Sequence, residues 1–475
     1  MKKLDKITLM EDNFSKWYID VITKGELIDY GLVKGTMIFK PNSFAIWENI
    51  QKILNNKFTT LGVKNVYMPM FIPKKMFELE KKHIEGFAPE LATITKIGEK
   101  KLDEEIVVRP TSELLFCQYF KENIDSYNDL PLLLNQWANV IRMEKTVNPF
   151  LRNSEFLWQE GHTIHQTKEE AQEFTVNIIN LYAEFCQEYL AIPTLIGMKT
   201  KSERFAGADT TYTIEAMMKD GKALQSGTSH YLAQNFSKPF KIEYKDRDNK
   251  RNNVYQTSWG VSTRLIGALI MTHGDNRGIV IPPKVAPVQI DVIEIFANKN
   301  DNVSTTSKQI YDLLSSNYRV NIDKSDKGPG YKAAESEIKG TPIRIEVGPR
   351  DLENQQVTIV RRDTLEKQVV MISDIEKIIN NLILDIQNNL LINAQEKLKN
   401  NIVEVQNYDD FKVSINNNKF VKVYYYEDEN NEKTIKEDTT ATPRCYPLNM
   451  QTEKEGKCFY SGKVTNKIAI FAKAY

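Results

Sequence analysis

The sequence predicts a multidomain α+β protein, on three observations. At 475 residues the chain exceeds what one hydrophobic core organises, so about two to four domains are expected. Up to residue 283, amphipathic helices mix with strands, and the region closes on the Pro-rich connector DNRGIVIPPKVAP. Beyond it strands alternate with helices, the pattern of a separate small α/β domain.

Taken in order, NSFAIWENIQKILNNKF places Phe44, Trp47, Ile50, Ile53 and Leu54 at the three-to-four spacing of one helix face. A Gly-Val-Lys-Asn turn follows. Next comes the strand-like VYMPMFIP, where Pro69 and Pro73 disfavour a central hydrogen-bonded place. Within 284–398, PVQIDVIEIF reads as a buried strand and SKQIYDLLSSNY as a helix. TPIRIEVG and QQVTIVRRD read as two more strands, and ISDIEKIINNLILDIQNNLLINAQEKLK as a long helix, together a substantially parallel sheet. Within 399–475 short strands, a polar loop (YEDENNEKTIKEDTT) and the apolar strand KIAIFAKAY make a third, small α+β unit. The expected domains are therefore 1–283, 284–398 and 399–475.

Composition narrows the function classes. With 41% hydrophobic and 27% charged residues, gross disorder is excluded. Balanced charge, 63 basic against 63 acidic residues, excludes a uniformly basic nucleic-acid coat but leaves a local basic face open. Four cysteines, Cys117, Cys186, Cys445 and Cys458, do not make a disulfide framework in so long a chain. The opening MKKLDKITLMEDNFSKW lacks the apolar core of a signal peptide, and no apolar run approaches the roughly 20 residues that span a bilayer. A cytoplasmic protein without membrane attachment is expected.

The stretch FLRNSEFLWQEGHTIH raises the question of a metal site through Glu160, His162 and His165. As a strand it projects Phe156, Trp158, Glu160 and His162 from one face, and His165 from the other. That argues against joint ligation, and the H-E-x-x-H pattern of zinc hydrolases is missing. The preceding NQWANVIRMEKT adds Arg142 and Glu144 on one face, and a basic loop leads through Arg152. Two antiparallel strands would then present these groups to one cavity, arginine being suited to phosphate or carboxylate through its planar fork. Taken alone, these residues read more simply as a solvated sheet face with crossed salt bridges. Thr111 and Glu113 follow Pro110 at a helix start, where a cap with a first-turn acid is the plain alternative. DGKALQSGTSHYLAQNF opens on a hairpin-like Asp220-Gly221 turn and carries Gln225, Thr228 and His230 around Gly227, a glycine that would let a ligand come close. TSWGVSTRLIGALIMTHGD puts Arg264 at the start of an apolar helix, where backbone amides favour anions; an ordinary core helix with one exposed arginine is the alternative.

Together these stretches resemble a known family. Arg142-Met-Glu144, the loop and FLRNSEFLWQEGH look like motif 2 of class II aminoacyl-tRNA synthetases. GVSTRLIGALIMTHGD with GIVIPPKVAP looks like motif 3, and the helix from Ser43 with VYMPMFIP resembles motif 1, which in that class builds a dimer interface. The wording RPTSE, FLWQEGHT, Gln-x-Gly-Thr-Ser-His and GPRDLENQQV is similar to that of the prolyl-tRNA synthetases. FAKAY resembles the end of their archaeal and eukaryotic-like form. The likeness spans nearly the whole chain and implies a class II antiparallel-sheet catalytic domain, an α/β anticodon-binding domain and a small α+β C-terminal domain.

The resemblance implies a homodimer that forms prolyl-adenylate from L-proline and ATP with Mg²⁺, then transfers the prolyl group to the 3′ end of tRNA(Pro). It places ATP on Arg142, Glu144, Arg152, Asn153, Gln225, Thr228, Ser262 and Arg264, with Gln225 also at a magnesium-linked contact. Proline falls to Thr111, Glu113, Arg142, Trp158, Glu160, His162 and His230, and the catalytic charge to Arg142 and Arg264. Glu337, Arg344 and Arg350 fall at base-reading positions of the anticodon domain, guanidinium and carboxylate being suited to guanine edges; a surface ion-pair strip is the alternative. The interval from His165 to Gly260 is too short for the editing insertion of the bacterial-type enzyme, so no editing is expected in this chain. Relatives often hold a structural zinc on four cysteines. This chain keeps Cys445 and Cys458, with Tyr426 and Asn431 where an earlier pair would stand and Ser461 after Cys458, so no structural zinc is expected. A tRNA-binding protein without activity, or a sister synthetase, are the rival readings; a threonine enzyme would show a Cys/His/His zinc site, which the motifs do not supply.

Overall fold

The structure, a computed structural model, describes residues 7–78 and 91–475; the first six residues of the opening stretch MKKLDKITLMEDNFSKW lie outside them. Helix α1 (Phe14–Lys24) starts where the Asn13 side chain accepts the Lys16 N–H, which satisfies one of the orphan donors of a helix start. Helix α2 (Pro41–Thr60) begins on a proline, whose missing N–H costs nothing in the first turn. It buries Ser43, Ile46, Trp47, Ile50, Leu54 and Phe58. The expected stripe is thus rotated: Phe44 is 41% exposed and Ile46 takes its place. Phe71–Pro73 is an edge strand, paired only with 106–108, a place that suits Pro73.

The centre of the molecule is a sheet of β1 (Lys64–Asn65), β2 (Leu132–Ile141), β3 (Glu155–His165), β4 (Thr194–Met198), β5 (Thr210–Met217), β6 (Ala223–Ala233) and β7 (Tyr255–Ser262). Across the sheet the order is β4-β5-β6-β7-β3-β2-β1, antiparallel except for β1 on β2. Helix α3 (Glu113–Asn123) follows Thr111, α4 (Lys168–Tyr189) follows β3, and α5 (Arg264–His273) follows β7. Thr167 and Glu170 close a reciprocal capping box on α4. Residues of α1, α2, α4 and α5 form one core with one face of the sheet, among them Trp17, Ile50, Ile178, Tyr182, Trp259 and Leu269. On the opposite face Leu134, Ile164 and Leu232 pack in a second core with Phe116 and Phe120 of α3, and the rest of that face lines a cleft.

The next unit holds β8 (Ile290–Glu294), α6 (Asp301–Leu314), β9 (Val320–Asp323), α7 (Pro329–Lys339), β10 (Ile343–Val347), β11 (Gln356–Arg361), β12 (Lys367–Met371) and α8 (Ile375–Asn401). Its order is β9-β8-β10-β11-β12. β9, β8 and β10 are parallel, but β10–β11 and β11–β12 are antiparallel. The sheet is therefore mixed rather than substantially parallel, because no crossover helix joins the last strands.

The last residues form β13 (Ile402–Glu404), α9 (Tyr408–Asn416), β14 (Phe420–Tyr424), α10 (Glu429–Thr439), β15 (Thr442–Pro447) and β16 (Ile468–Ala472). The expected polar loop is largely α10. It carries little apolar periodicity, but Asp428 caps it by accepting the Asn430 and Asn431 N–H groups, and Ile435 anchors it in the core. β15 pairs with β4 through Tyr446–Met198 and Pro447–Gly197, so this unit continues the central sheet to eleven strands. A Cβ on Gly197 would lie 2.6 Å from the Cys445 Sγ, so only glycine admits that approach. Charge seals the join: Glu215 accepts from Lys199 at 2.8 Å and from Arg444 at 3.0 Å, all three side chains nearly or wholly buried. Elsewhere Arg362 grips Asp275 with two bonds of 2.7 Å.

Candidate active site

The cleft is built from strand periodicity and register. β2 and β3 form the antiparallel hairpin, and Trp158, Glu160 and His162 project from β3 on the cleft side, two residues apart. Register places Ser262 opposite Trp158, Gly260 opposite Glu160 and Ser258 opposite His162. His230 on β6 lies beyond Ser258, and Thr211 on β5 lies beyond His230. The small residues of β7 leave a hollow of about 260 Å³ between larger walls.

One end of this hollow holds Thr111 and Glu113, whose side chains are hydrogen-bonded to each other at the start of α3. Arg142 lies just beyond the end of β2. Its Nε donates to the Pro110 carbonyl at 3.0 Å, and its guanidinium lies 5.4 Å from the ring centres of Phe156 and Trp158, so the fork is held before any ligand arrives. His230 is fixed by Thr211 at 3.0 Å and by the Phe205 ring at 4.7 Å. Burial first, and the neighbouring His162 second, lower its pKa to about 3, so it stays neutral.

At the other end Arg264 opens α5. Its Nε donates to the Leu151 carbonyl at 3.0 Å and its Nη1 to the Gln225 carbonyl at 3.3 Å. Burial, then Arg152 and Arg142, pull its pKa to about 10; it remains a cation, in a field of like charge that an anion would relieve. Gln225, Thr228 and Ser262 line the same hollow.

The structure therefore brings together all seven residues expected at proline and five of the eight expected at ATP. Glu144, Arg152 and Asn153 stand outside the hollow. Arg152 lines an adjoining cleft with Arg444 and Tyr475, and Glu203 borders both. Gly227 does line the hollow, but its missing side chain clears the core side, where a Cβ would face Val261 at 2.9 Å and Tyr182 at 3.3 Å. His162 and His165 lie on opposite faces. The former stacks on Phe116 at 4.1 Å, and the latter bonds Thr163 at 2.8 Å and tilts against Phe174. Among the described residues no three His, Cys, Asp or Glu side chains are placed to hold a metal ion. Thr211, Phe205 and Ser258 were missed by sequence reading. The Asp220-Gly221 hairpin by itself does not reveal Thr211, because a bulge between Ile214 and Glu215 shifts the register by one residue and so pairs Thr211 with His230.

In the α/β unit, Arg344 donates to Glu337 at 3.1 Å and to Glu346 at 2.9 Å, and Glu337 also accepts from Arg277 at 2.8 Å. Arg350 is exposed on the next short helix, Pro349–Leu352.

Three buried histidines make acid stability testable. Burial lowers His230 to about 3, and His165 and His273 to about 4, against an ordinary 6.5. The unfolded chain binds their protons first, so stability rises with pH over this window and is lost as pH falls from about 6.5 towards 4. The thermal midpoint is expected to drop between pH 7 and pH 5, and His273→Gln to flatten that slope; an unchanged slope counts against the assignment.

Comparison with known proteins now bears on this geometry. The class II core domain of the G, H, P, S and T tRNA synthetases matches residues 95–273. An anticodon-binding domain matches 285–382, and the C-terminal domain of prolyl-tRNA synthetases matches 408–475. The chain is 56% identical to a proline--tRNA ligase of Mycoplasma mobile over the full length of both. It is 51% identical to the corresponding protein of Agathobacter rectalis, over 100% of this chain and 99% of that one. A crystal structure of prolyl-tRNA synthetase from Cryptosporidium parvum, complexed with halofuginone and AMPPNP, superposes with a TM-score of 0.95 at 40% identity over 99% of each chain. With the catalytic core, the anticodon-binding domain and the C-terminal domain all matched along one chain, this protein belongs to the prolyl-tRNA synthetase family.

Proposed function

We propose that the cleft activates L-proline with ATP and passes the prolyl group to tRNA(Pro). The observation that carries this is the meeting, in one hollow, of the Thr111–Glu113 pair, the pre-held Arg142 and Arg264, in a chain matching proline--tRNA ligases from end to end. A carboxylate oxygen of proline attacks the α-phosphorus, the bond to the bridging oxygen breaks, and pyrophosphate leaves. The terminal ribose hydroxyl of the tRNA then attacks the prolyl carbonyl, and AMP leaves. No protein nucleophile is needed, so catalysis rests on orientation and charge. Arg142 bridges the proline carboxylate and α-phosphate, while Arg264 faces the adenine and γ-phosphate. Glu113 accepts the two N–H donors of the secondary ammonium, and Trp158 and His162 wall the ring. Glu144, Arg152 and Asn153, outside the hollow, meet ATP from the motif 2 loop.

Gln225 would stand beside a magnesium ion bound with ATP, which would offset the triphosphate charge and take most of its ligands from phosphate and water, as suits the lack of a metal-holding side-chain group among the described residues. Cys445 and Cys458 alone do not suit a closed zinc site. Glu337, Arg344 and Arg350 read the anticodon, which requires guanine to compete with the ion pairs Glu337 makes. The working form is a cytoplasmic homodimer, supported by exposed Phe44 on the motif 1 helix. The domains divide at 283/284 and 398/399, the second division falling within the last turn of α8, which runs on to Asn401. No helix among the described residues is long and apolar enough to cross a membrane. The test is amino-acid-dependent ATP–pyrophosphate exchange across all twenty amino acids: proline should dominate, and exchange that is absent with proline or stronger with another amino acid rejects the reading.

A further inference from the structure

Under the proline end of the cleft lies a closed network of residues, none more than 3% exposed: Ser112, Gln136, Glu160 and His162. Its directions can be assigned from one anchor. The Met68 N–H points at the Gln136 Oε1 at 2.9 Å, and a backbone amide only donates. The Gln136 NH₂ must therefore face inward, donating to the Ser112 Oγ at 2.8 Å and the Glu160 Oε1 at 2.5 Å. Ser112, having accepted, gives its O–H to the same Oε1 at 2.5 Å and its N–H to Oε2 at 3.3 Å. The His162 Nε2 lies 3.1 Å from that Oε2, so it is the N–H-bearing nitrogen. Glu160 thus meets four donors. Burial pushes its carboxyl up, but the bonds from His162, Ser112 and Gln136 outweigh burial and hold it below the ordinary carboxylate range. With its oxygens so engaged, Glu160 is poorly placed to receive a substrate ammonium. What it does hold is the His162 ring, pinned on its other side by Phe116, 4.1 Å away and nearly parallel at 21°.

We infer that Gln136 and Ser112 are positioning residues for amino-acid selection, acting through Glu160 to fix His162 as a rigid wall of the proline pocket. This rests on the proline-activating reading of the cleft. A hydrophobic pocket separates amino acids differing by one or two methylenes only weakly, and a wall free to swing loses even that. Rigidity of His162 is then what distinguishes a filled ring site from one that alanine occupies loosely.

Exchange kinetics with proline and alanine, together with thermal midpoints, test the inference. Glu160→Gln places an amide NH₂ among four donors and is expected to raise KM for proline about tenfold and lower the proline-over-alanine preference, leaving KM for ATP within about twofold. The exchanged pair Gln136→Glu with Glu160→Gln restores a donor for every acceptor, since the carboxylate moved to position 136 would accept from Met68, Ser112 and the new amide at position 160. It should recover most of the preference. Ser112→Ala removes one donor, with little risk to folding, and should shift the same quantities about threefold. Proline and alanine constants unchanged in Glu160→Gln and Ser112→Ala, or lowered midpoints without any change in preference, overturn the inference. Wild-type protein without proline exchange would instead reject the functional reading, and this inference with it.

Discussion

Replacing Arg142 with alanine is expected to lower the rate of proline-dependent ATP–pyrophosphate exchange by about 10²–10³, with little change in thermal midpoint. The magnitude is that of removing one pre-aimed donor from a developing oxyanion. The reason lies in how the guanidinium is held. Its Nε is occupied by the Pro110 carbonyl and its plane is fixed by Phe156 and Trp158, so the guanidinium is in place before substrate binds. Arg142→Lys keeps the charge but not the fork, and should recover only a small part of the rate. The loss should fall on kcat more than on KM for ATP, because charge on the pentavalent phosphorus exists only in the transition state. An Arg142→Ala protein exchanging within about threefold of wild type would remove Arg142 from the chemistry.

The largest stability effect is expected at Glu215. Glu215→Gln leaves Lys199 and Arg444 without their shared counter-charge at a site closed to water. Breaking such a buried pair destabilises by about 3–5 kcal/mol. Arg444 comes from β15 and Lys199 from the residue after β4, so the damage should fall on the join between the C-terminal unit and the catalytic sheet. Multidomain chains do not unfold in one step, and the first thermal transition is the one expected to move down. The triple substitution Lys199→Met, Glu215→Leu and Arg444→Met should recover much of the loss, since packed apolar groups replace buried ion networks at little cost. A midpoint in Glu215→Gln equal to wild type would show that water reaches the trio. Acid should act in the same sense. Burial raises the Glu215 carboxyl, but Arg444 and Lys199 outweigh it and hold the pKa below the ordinary value; its contribution is lost as pH falls through that lowered pKa.

What was legible beforehand follows from range. β3 could be placed, and its two faces assigned, because side-chain alternation is a property of neighbouring residues; the separation of His162 from His165 needed nothing more. The hairpin turn at Asp220-Gly221 and the start of α5 at Arg264 are likewise local. The rotation of α2 is less so, since Ile46 and Phe44 are both apolar and only the opposing core decides which one turns inward. Helix α10 reads as a loop in the sequence because a helix with one strong apolar anchor resembles a polar linker until its cap is recognised.

The order of residues along the chain determined the motifs, the strand faces and the groups on offer: arginines suited to phosphate and carboxylates suited to a cation. Only the tertiary structure decided which of those groups meet. Thr211 reaches His230 through strand register, Gln136 reaches Glu160 through pairing of β2 with β3, and Arg444 reaches Glu215 across 229 positions of chain. Such contacts are set by sheet pairing and core packing summed over many residues, which no local pattern contains.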